Sequence, residues 1–122
     1  MSRFLIFVAR FLMAFIFIVS GIGKLTNFSA TESMLASQGI PLAPVVTAIV
    51  IAMELGGGLM LLFSPWPGWA ALVLFVYLIP VTVMIHNFWA SPPDQHQMQE
   101  IQFLKNLAIM GGLLAFYTRE PK

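Results

Sequence analysis

Residues 4–23 read FLIFVARFLMAFIFIVSGIG, and this run decides the class of fold. Arg10 is its only charged side chain. At 1.5 Å per residue, a helix of this length covers about 30 Å, the thickness of the hydrocarbon core of a bilayer. The run therefore predicts a membrane-spanning helix. A cleaved signal peptide is a weaker interpretation, because only Arg3 supplies a basic start and more apolar runs follow.

Three further apolar runs predict three further spans. They cover about residues 44–63, 69–88 and 101–117. The second and third are joined by SPWPGW at 64–69, where two prolines bar a continuous helix and the tryptophans favour the headgroup layer. We therefore expect an antiparallel hairpin, followed by a polar loop over 89–99 and the last span.

The segment between the first two spans predicts a short interfacial helix near residues 30–38. Ser29 and Glu32 have the spacing of a capping box at its start. Gly39 can supply the left-handed stop at its end. The expected fold is a single transmembrane domain over 1–122, an all-α, up-and-down four-helix bundle with this added helix.

Composition agrees with lipid as the main solvent and excludes several functions. The chain is 59% hydrophobic and 9% charged, with net charge +1 and no cysteine. A soluble domain carries roughly 25% charged residues. Nucleic-acid binding would need a cluster of basic residues, and thiolate catalysis, iron–sulfur clusters and covalently attached haem would need cysteine. The bilayer is therefore the first predicted partner, and no covalently bound cofactor is expected.

The basic residues suggest an orientation in the membrane. An even number of spans places both termini on one side, together with Arg3, Arg10, Arg119 and Lys122. The opposite side carries Lys24 and Lys105 at helix ends. Basic residues concentrate on the cytoplasmic side of membrane proteins. We predict a bacterial inner membrane protein with both termini in the cytoplasm.

Two ionisable residues lie inside predicted spans and need partners. Arg10 and Glu54 are placed at about 9 and 13 Å from the cytoplasmic edge when the helix ends are taken as level. Charges within a bilayer normally face the bundle interior and pair with one another. We therefore predict an Arg10–Glu54 pair, serving the fold, a ligand or both.

A second polar layer is predicted at the opposite end of the bundle. Its members are Lys24, His86, Asn87, Lys105 and Asn106. For the lysines, contact with the membrane interface is the more ordinary role. His86 and Asn87 could bind a carbonyl oxygen or relay protons. The chain's two histidines are not spaced to share one helix face, so no metal site is predicted.

Two glycine clusters are predicted to serve helix packing. They are Gly56, Gly57 and Gly58 in the second span, and Gly111 and Gly112 in the fourth. In membranes, small residues let helix backbones approach closely.

The order of these residues resembles the DoxX family of small four-helix bacterial membrane proteins. The resemblance rests on Arg10, SGIGKL at 20–25, GIP at 39–41, ELGGG at 54–58, HNF at 86–88 and FLKNL at 103–107 before Gly111-Gly112. It implies four transmembrane helices and marks Arg10, Lys24, Glu54, His86, Lys105 and Asn106 as characteristic polar positions. The family name derives from a subunit of a thiosulfate:quinone oxidoreductase, which implies work beside a quinone-linked redox partner.

The sequence is compatible with three classes of function. The first is a membrane subunit that binds a quinone or another small lipophilic molecule and is an enzyme only as part of an oxidoreductase. The second is a small transporter or channel, which would favour a homo-oligomer because four helices are narrow. The third is a non-catalytic assembly subunit that docks through its glycine faces.

Overall fold

The computed structural model describes residues 3–86 and 88–119, and within them every regular element is helical. The helices are α1 (Arg3–Thr26), α2 (Phe28–Ser37), α3 (Ala43–Phe63), α4 (Pro67–Met84) and α5 (His96–Arg119), with a 3-10 turn at Phe88–Ala90. Four segments are long and apolar enough to cross a membrane: α1, α3, α5, and α4 with its continuation to Ala90. The predicted all-α fold with four spans is confirmed.

The largest difference from the predicted boundaries concerns α4 and α5. Helix α4 ends at Met84 rather than at residue 88, and α5 begins at His96 rather than at 101. In the connection between α4 and α5, the ring of Phe88 lies 5.3 Å from the ring of Phe103 and 5.4 Å from the ring of His96. These contacts pack the connection against α5. Hydropathy identifies only the part of a helix that lies in the membrane. Glutamine and glutamate also favour helix, so α5 begins before the apolar run.

The start of α2 also differs from its prediction. Asn27 is the N-cap and no side chain caps the helix, so the predicted capping box of Ser29 and Glu32 is wrong. Asn27 instead donates its side-chain amide to the carbonyl of Gly23, prolonging the last turn of α1. The predicted stop at Gly39 is confirmed by its φ of +81°.

The four long helices form an antiparallel bundle in which one pair of neighbouring helices has sparse contact. Helix α1 packs along α3, α3 along α4 and α4 along α5, but α1 and α5 touch at few points among the described residues. Arg10 lies level with Ser64, and the Trp69 ring lies 6.1 Å from that of Tyr117. The hairpin between α3 and α4 therefore lies at the same end as Arg3 and Arg119.

Packing inside the bundle is unequal along its length. At the end near the hairpin, apolar side chains from α1, α3, α4 and α5 form one buried cluster, which includes Ala14, Phe17, Leu61, Leu74 and Leu113. At the opposite end, Leu35 of α2 packs with Ala43 and Ile85, and Gln38 Nε2 donates to the Ile85 carbonyl at 3.1 Å. The polar interior lies between these two apolar clusters.

Candidate ligand-binding cavity

The centre of the polar interior is the carboxylate of Glu54. This residue is 6% exposed. Its Oε1 accepts hydrogen bonds from Lys24 Nζ at 2.9 Å and from Ser20 Oγ at 2.8 Å, and its Oε2 accepts one from Tyr77 at 2.9 Å. A buried charge is tolerated when it is paired and its remaining lone pairs are hydrogen-bonded. Two helices, α1 and α4, thus supply the groups that stabilise one carboxylate on a third.

Glycines set the distances that bring these groups together. A Cβ at Gly21 would lie 2.6 Å from Leu55 Cγ, and one at Gly57 would lie 2.5 Å from Leu74 Cδ2. The first contact draws α1 against α3, so that Ser20 and Lys24, one turn apart on α1, reach Glu54. The second draws α4 against α3, which brings Tyr77 to the same carboxylate.

The predicted Arg10–Glu54 pair is wrong. Arg10 Nε donates to the Leu61 carbonyl at 2.8 Å and Nη2 donates to the Ser64 carbonyl at 2.6 Å, while Glu54 pairs with Lys24. The last carbonyls of a helix lack internal partners and favour a positive charge. Arg10 therefore caps α3.

The ends of α1 and α3 are not level, as the prediction of this pair required. On α1, Ser20 lies opposite Glu54 and Arg10 lies opposite the end of α3, so ten residues, or about 15 Å, separate the two charged groups. Helix α1 begins at Arg3 and extends beyond the hairpin, which hydropathy alone does not reveal.

A cavity of about 390 Å³ opens beside the Glu54 carboxylate. Polar side chains from all five helices line it: Ser20, Lys24, Thr31, Glu54, Tyr77, Gln99, Gln102 and Asn106, together with His86 after α4. Apolar side chains such as Ile16, Leu35, Val50, Leu78 and Ile109 complete the wall. A pocket that combines apolar side chains with convergent polar groups can orient a small ligand, and this one is richer in polar groups than most.

The structure brings four of the predicted polar residues to this cavity and leaves two elsewhere. Lys24, Glu54, His86 and Asn106 line it. Arg10 lies at the hairpin end, and Lys105 is exposed on α5. The His86 Nδ1 atom lies 3.0 Å from Gln99 Oε1, linking the end of α4 to α5. Asn87, also predicted for this layer, lies outside the described residues.

Four cavity residues were not predicted from the sequence: Ser20, Tyr77, Gln99 and Gln102. Two of them could have been found from helical spacing, because Ser20 precedes Lys24 by four residues and Gln102 precedes Asn106 by four, which places each pair on one helix face. Gln99 was assigned to a loop, which removed its helical register. Tyr77 is an isolated polar group in an apolar span, and only its hydrogen bond to Glu54 reveals its role.

The predicted packing role holds for some of the glycines and not for others. Gly57 contacts Leu74, and a Cβ at Gly58 would lie 3.0 Å from Ile18 Cγ1 and 3.1 Å from Phe17 Cβ. At Gly56, Gly111 and Gly112 an added Cβ would meet no atom within 4 Å, so no neighbouring helix requires glycine at these positions. For these three the predicted packing within the bundle is wrong, because their faces point away from it.

Four apolar helices around a polar cavity define an integral membrane protein of the helix-bundle class. The family model described as DoxX matches residues 5–87, which include α1 to α4 and the Lys24–Glu54 pair. The chain belongs to the DoxX family.

Two relatives from Escherichia coli K12 extend the match beyond α4. The inner membrane protein YqjF is 32% identical over 116 residues, covering 95% of this chain and 84% of the relative. The inner membrane protein YphA is 27% identical over 117 residues, covering 96% of this chain and 84% of the relative. No solved structure shows a significant match.

Proposed function

We propose that this chain is a membrane subunit that binds a small lipophilic molecule with a hydrogen-bonding head group, in the first instance a quinone, and acts beside a redox partner. The observation that carries the proposal is the cavity at Glu54, where a paired lysine and side-chain amides lie beside apolar side chains. Ammonium and amide groups donate hydrogen bonds to carbonyl oxygens, which are the polar atoms of a quinone. Electron transfer would then use the bound quinone and a centre on the partner.

A transport path receives less support from the same geometry. The polar lining ends at the buried cluster around Phe17, Leu74 and Leu113, which fills the bundle towards the hairpin. Within residues 3–86 and 88–119, the cavity thus has a floor of apolar side chains. Because a transport path must open on both sides of the membrane, this floor favours a binding site.

Ligand binding is tested by comparing two lysines with the same chemistry and different positions. In nanodiscs, the protein should bind a short-chain ubiquinone, and Lys24→Met should weaken binding about tenfold, the loss expected for one hydrogen bond to the ligand. Lys105→Met is the matched control, because Lys105 is exposed and does not line the cavity. Its affinity should stay within about twofold.

A second variant separates binding from folding. Gln102→Met removes a cavity amide without touching the Lys24–Glu54 pair, and it should also weaken binding about tenfold while leaving thermal stability unchanged. Equal affinities for the wild type, Lys24→Met and Gln102→Met, or no binding to the wild type, would exclude a quinone site in this cavity.

We further propose that both termini face the cytoplasm, so that the cavity end of the bundle faces the periplasm. Arg3, Arg10 and Arg119 lie at the hairpin end, and Lys24 lies at the cavity end. Because the chain has no cysteine, single cysteines can report exposure directly. In intact cells, Ser91→Cys should react with a membrane-impermeant maleimide, and Ser2→Cys should react only after permeabilisation. The reverse pattern of labelling would invert the topology.

A further inference from the structure

The cavity is smaller than a membrane-resident quinone with its tail. Its volume of about 390 Å³ lies near the lower end of the roughly 300–1,000 Å³ found for drug-sized ligands. A single substituted ring fits this space, whereas a long hydrocarbon chain needs room elsewhere. The walls of the cavity therefore determine where a tail can leave.

Of the four sides between neighbouring long helices, the α1–α5 side has the sparsest contact among the described residues. The cluster around Leu113 closes the hairpin end. At the other end α2 is held by buried Leu35 and by the hydrogen bond from Gln38 to the Ile85 carbonyl, and exposed Met98 of α5 also lines the cavity there. That end leads to water, which does not favour a hydrocarbon chain, so the α1–α5 side is the opening through which a tail could reach lipid.

The edges of this opening, which we name the α1–α5 seam, are apolar. Ile16 of α1 and Ile109 of α5 both line the cavity, and Ile16 is 36% exposed. Beyond them the bundle surface consists of side chains that face lipid. A hydrocarbon chain lying across the seam would meet no charged side chain at these two positions.

Inside the seam the α5 wall carries amides that lack partners. Asn106 is 8% exposed, and its side-chain amide makes no hydrogen bond within residues 3–86 and 88–119. Gln102, one turn away on the same face, is half-buried and likewise unpaired there. Both side chains line the cavity, and each amide can donate a hydrogen bond to a ligand's oxygen and accept one from its hydroxyl.

We propose that the cavity holds the head of a tailed amphiphile, bonded to Asn106 and Gln102, and that its hydrocarbon tail passes through the α1–α5 seam into the bilayer. This inference rests on the proposed quinone site for the choice of probe, and it adds the tail and its route. The ligand class is thus a neutral head with hydrogen-bonding oxygens on a long apolar chain that enters sideways from the membrane.

The test narrows the seam and compares probes with and without a tail. The tailed probe is ubiquinone with two isoprene units, and the tail-less probe is 2,3-dimethoxy-5-methyl-1,4-benzoquinone. Ile16→Trp places an indole in the seam, and it should weaken the tailed probe about tenfold more than the tail-less one. Ile22→Trp is the matched control, because Ile22 lies on the same helix, is 49% exposed and does not line the cavity.

The other outcomes either contradict the seam or distinguish its failure from a failure of the quinone assignment. Equal losses of both probes in Ile16→Trp, or losses shared by Ile22→Trp, would show that the tail does not use the seam. A selective loss in Met98→Trp but not in Ile16→Trp would place entry at the aqueous end.

If neither quinone binds the wild type, the quinone assignment fails. The seam is then tested by native mass spectrometry of the lipids that the protein retains in detergent. Ile16→Trp should then retain less lipid than Ile22→Trp, and equal retention would overturn the inference.

Discussion

Replacing Lys24 with methionine is expected to lower the free energy of unfolding by up to about 3 kcal/mol, the low end of the cost of breaking a buried ion pair on one side, because Glu54 is buried while the Lys24 side chain is 28% exposed. The loss comes from Glu54, which would remain buried with only the Ser20 and Tyr77 hydroxyls as donors. Glu54→Leu should also destabilise, because Lys24 and Tyr77 then lose their acceptor. Denaturant titration in mixed micelles measures each change.

A double-mutant cycle shows whether Lys24 and Glu54 act as a pair. The double variant should recover at least about 1 kcal/mol relative to the sum of the two single losses, since removing both partners leaves no unpaired charge. The control cycle joins Arg10→Met with Glu54→Leu, whose sites bond to different groups. Those two losses should add within about 0.5 kcal/mol. Additivity at Lys24 together with coupling at Arg10 would contradict the ion pair described above.

Gly57→Leu is expected to destabilise the bundle by about 3 kcal/mol, the upper end for adding volume to a packed core. A Cβ at this position would lie 2.5 Å from Leu74 Cδ2, and Leu74 is fully buried, so its side chain has no free space to enter. The helices would have to separate. Because the same contact holds Tyr77 near Glu54, quinone binding should weaken with stability.

The neighbouring glycine supplies the control for this prediction. A Cβ at Gly56 would meet no atom within 4 Å, so Gly56→Leu should change the free energy of unfolding by less than about 0.5 kcal/mol. Melting curves in detergent would detect the contrast between two substitutions one residue apart. Equal effects at both positions would mean that α3 and α4 do not approach closely at Gly57.

Much of the site was visible in the sequence as isolated polar residues. Lys24, Glu54, His86 and Asn106 stand out because apolar spans surround them, and a polar group is costly in lipid unless the bundle interior receives it. This cost is a property of each residue and its neighbours in the chain. It predicted that these four residues turn inwards, although Lys105, predicted with them, is exposed. It contains no information about which of them meet.

The amino-acid sequence by itself determined the membrane class, the number of helices, the stop at Gly39 and the inward placement of most polar side chains. These properties follow from local hydropathy and backbone preference, which act over one or two helical turns. Tertiary structure alone decided that Lys24 rather than Arg10 pairs with Glu54, that Tyr77 joins them, and that α1 and α5 leave a seam. The physical reason is that partners are chosen by the relative height of neighbouring helices, which close contacts at Gly21, Gly57 and Gly58 establish.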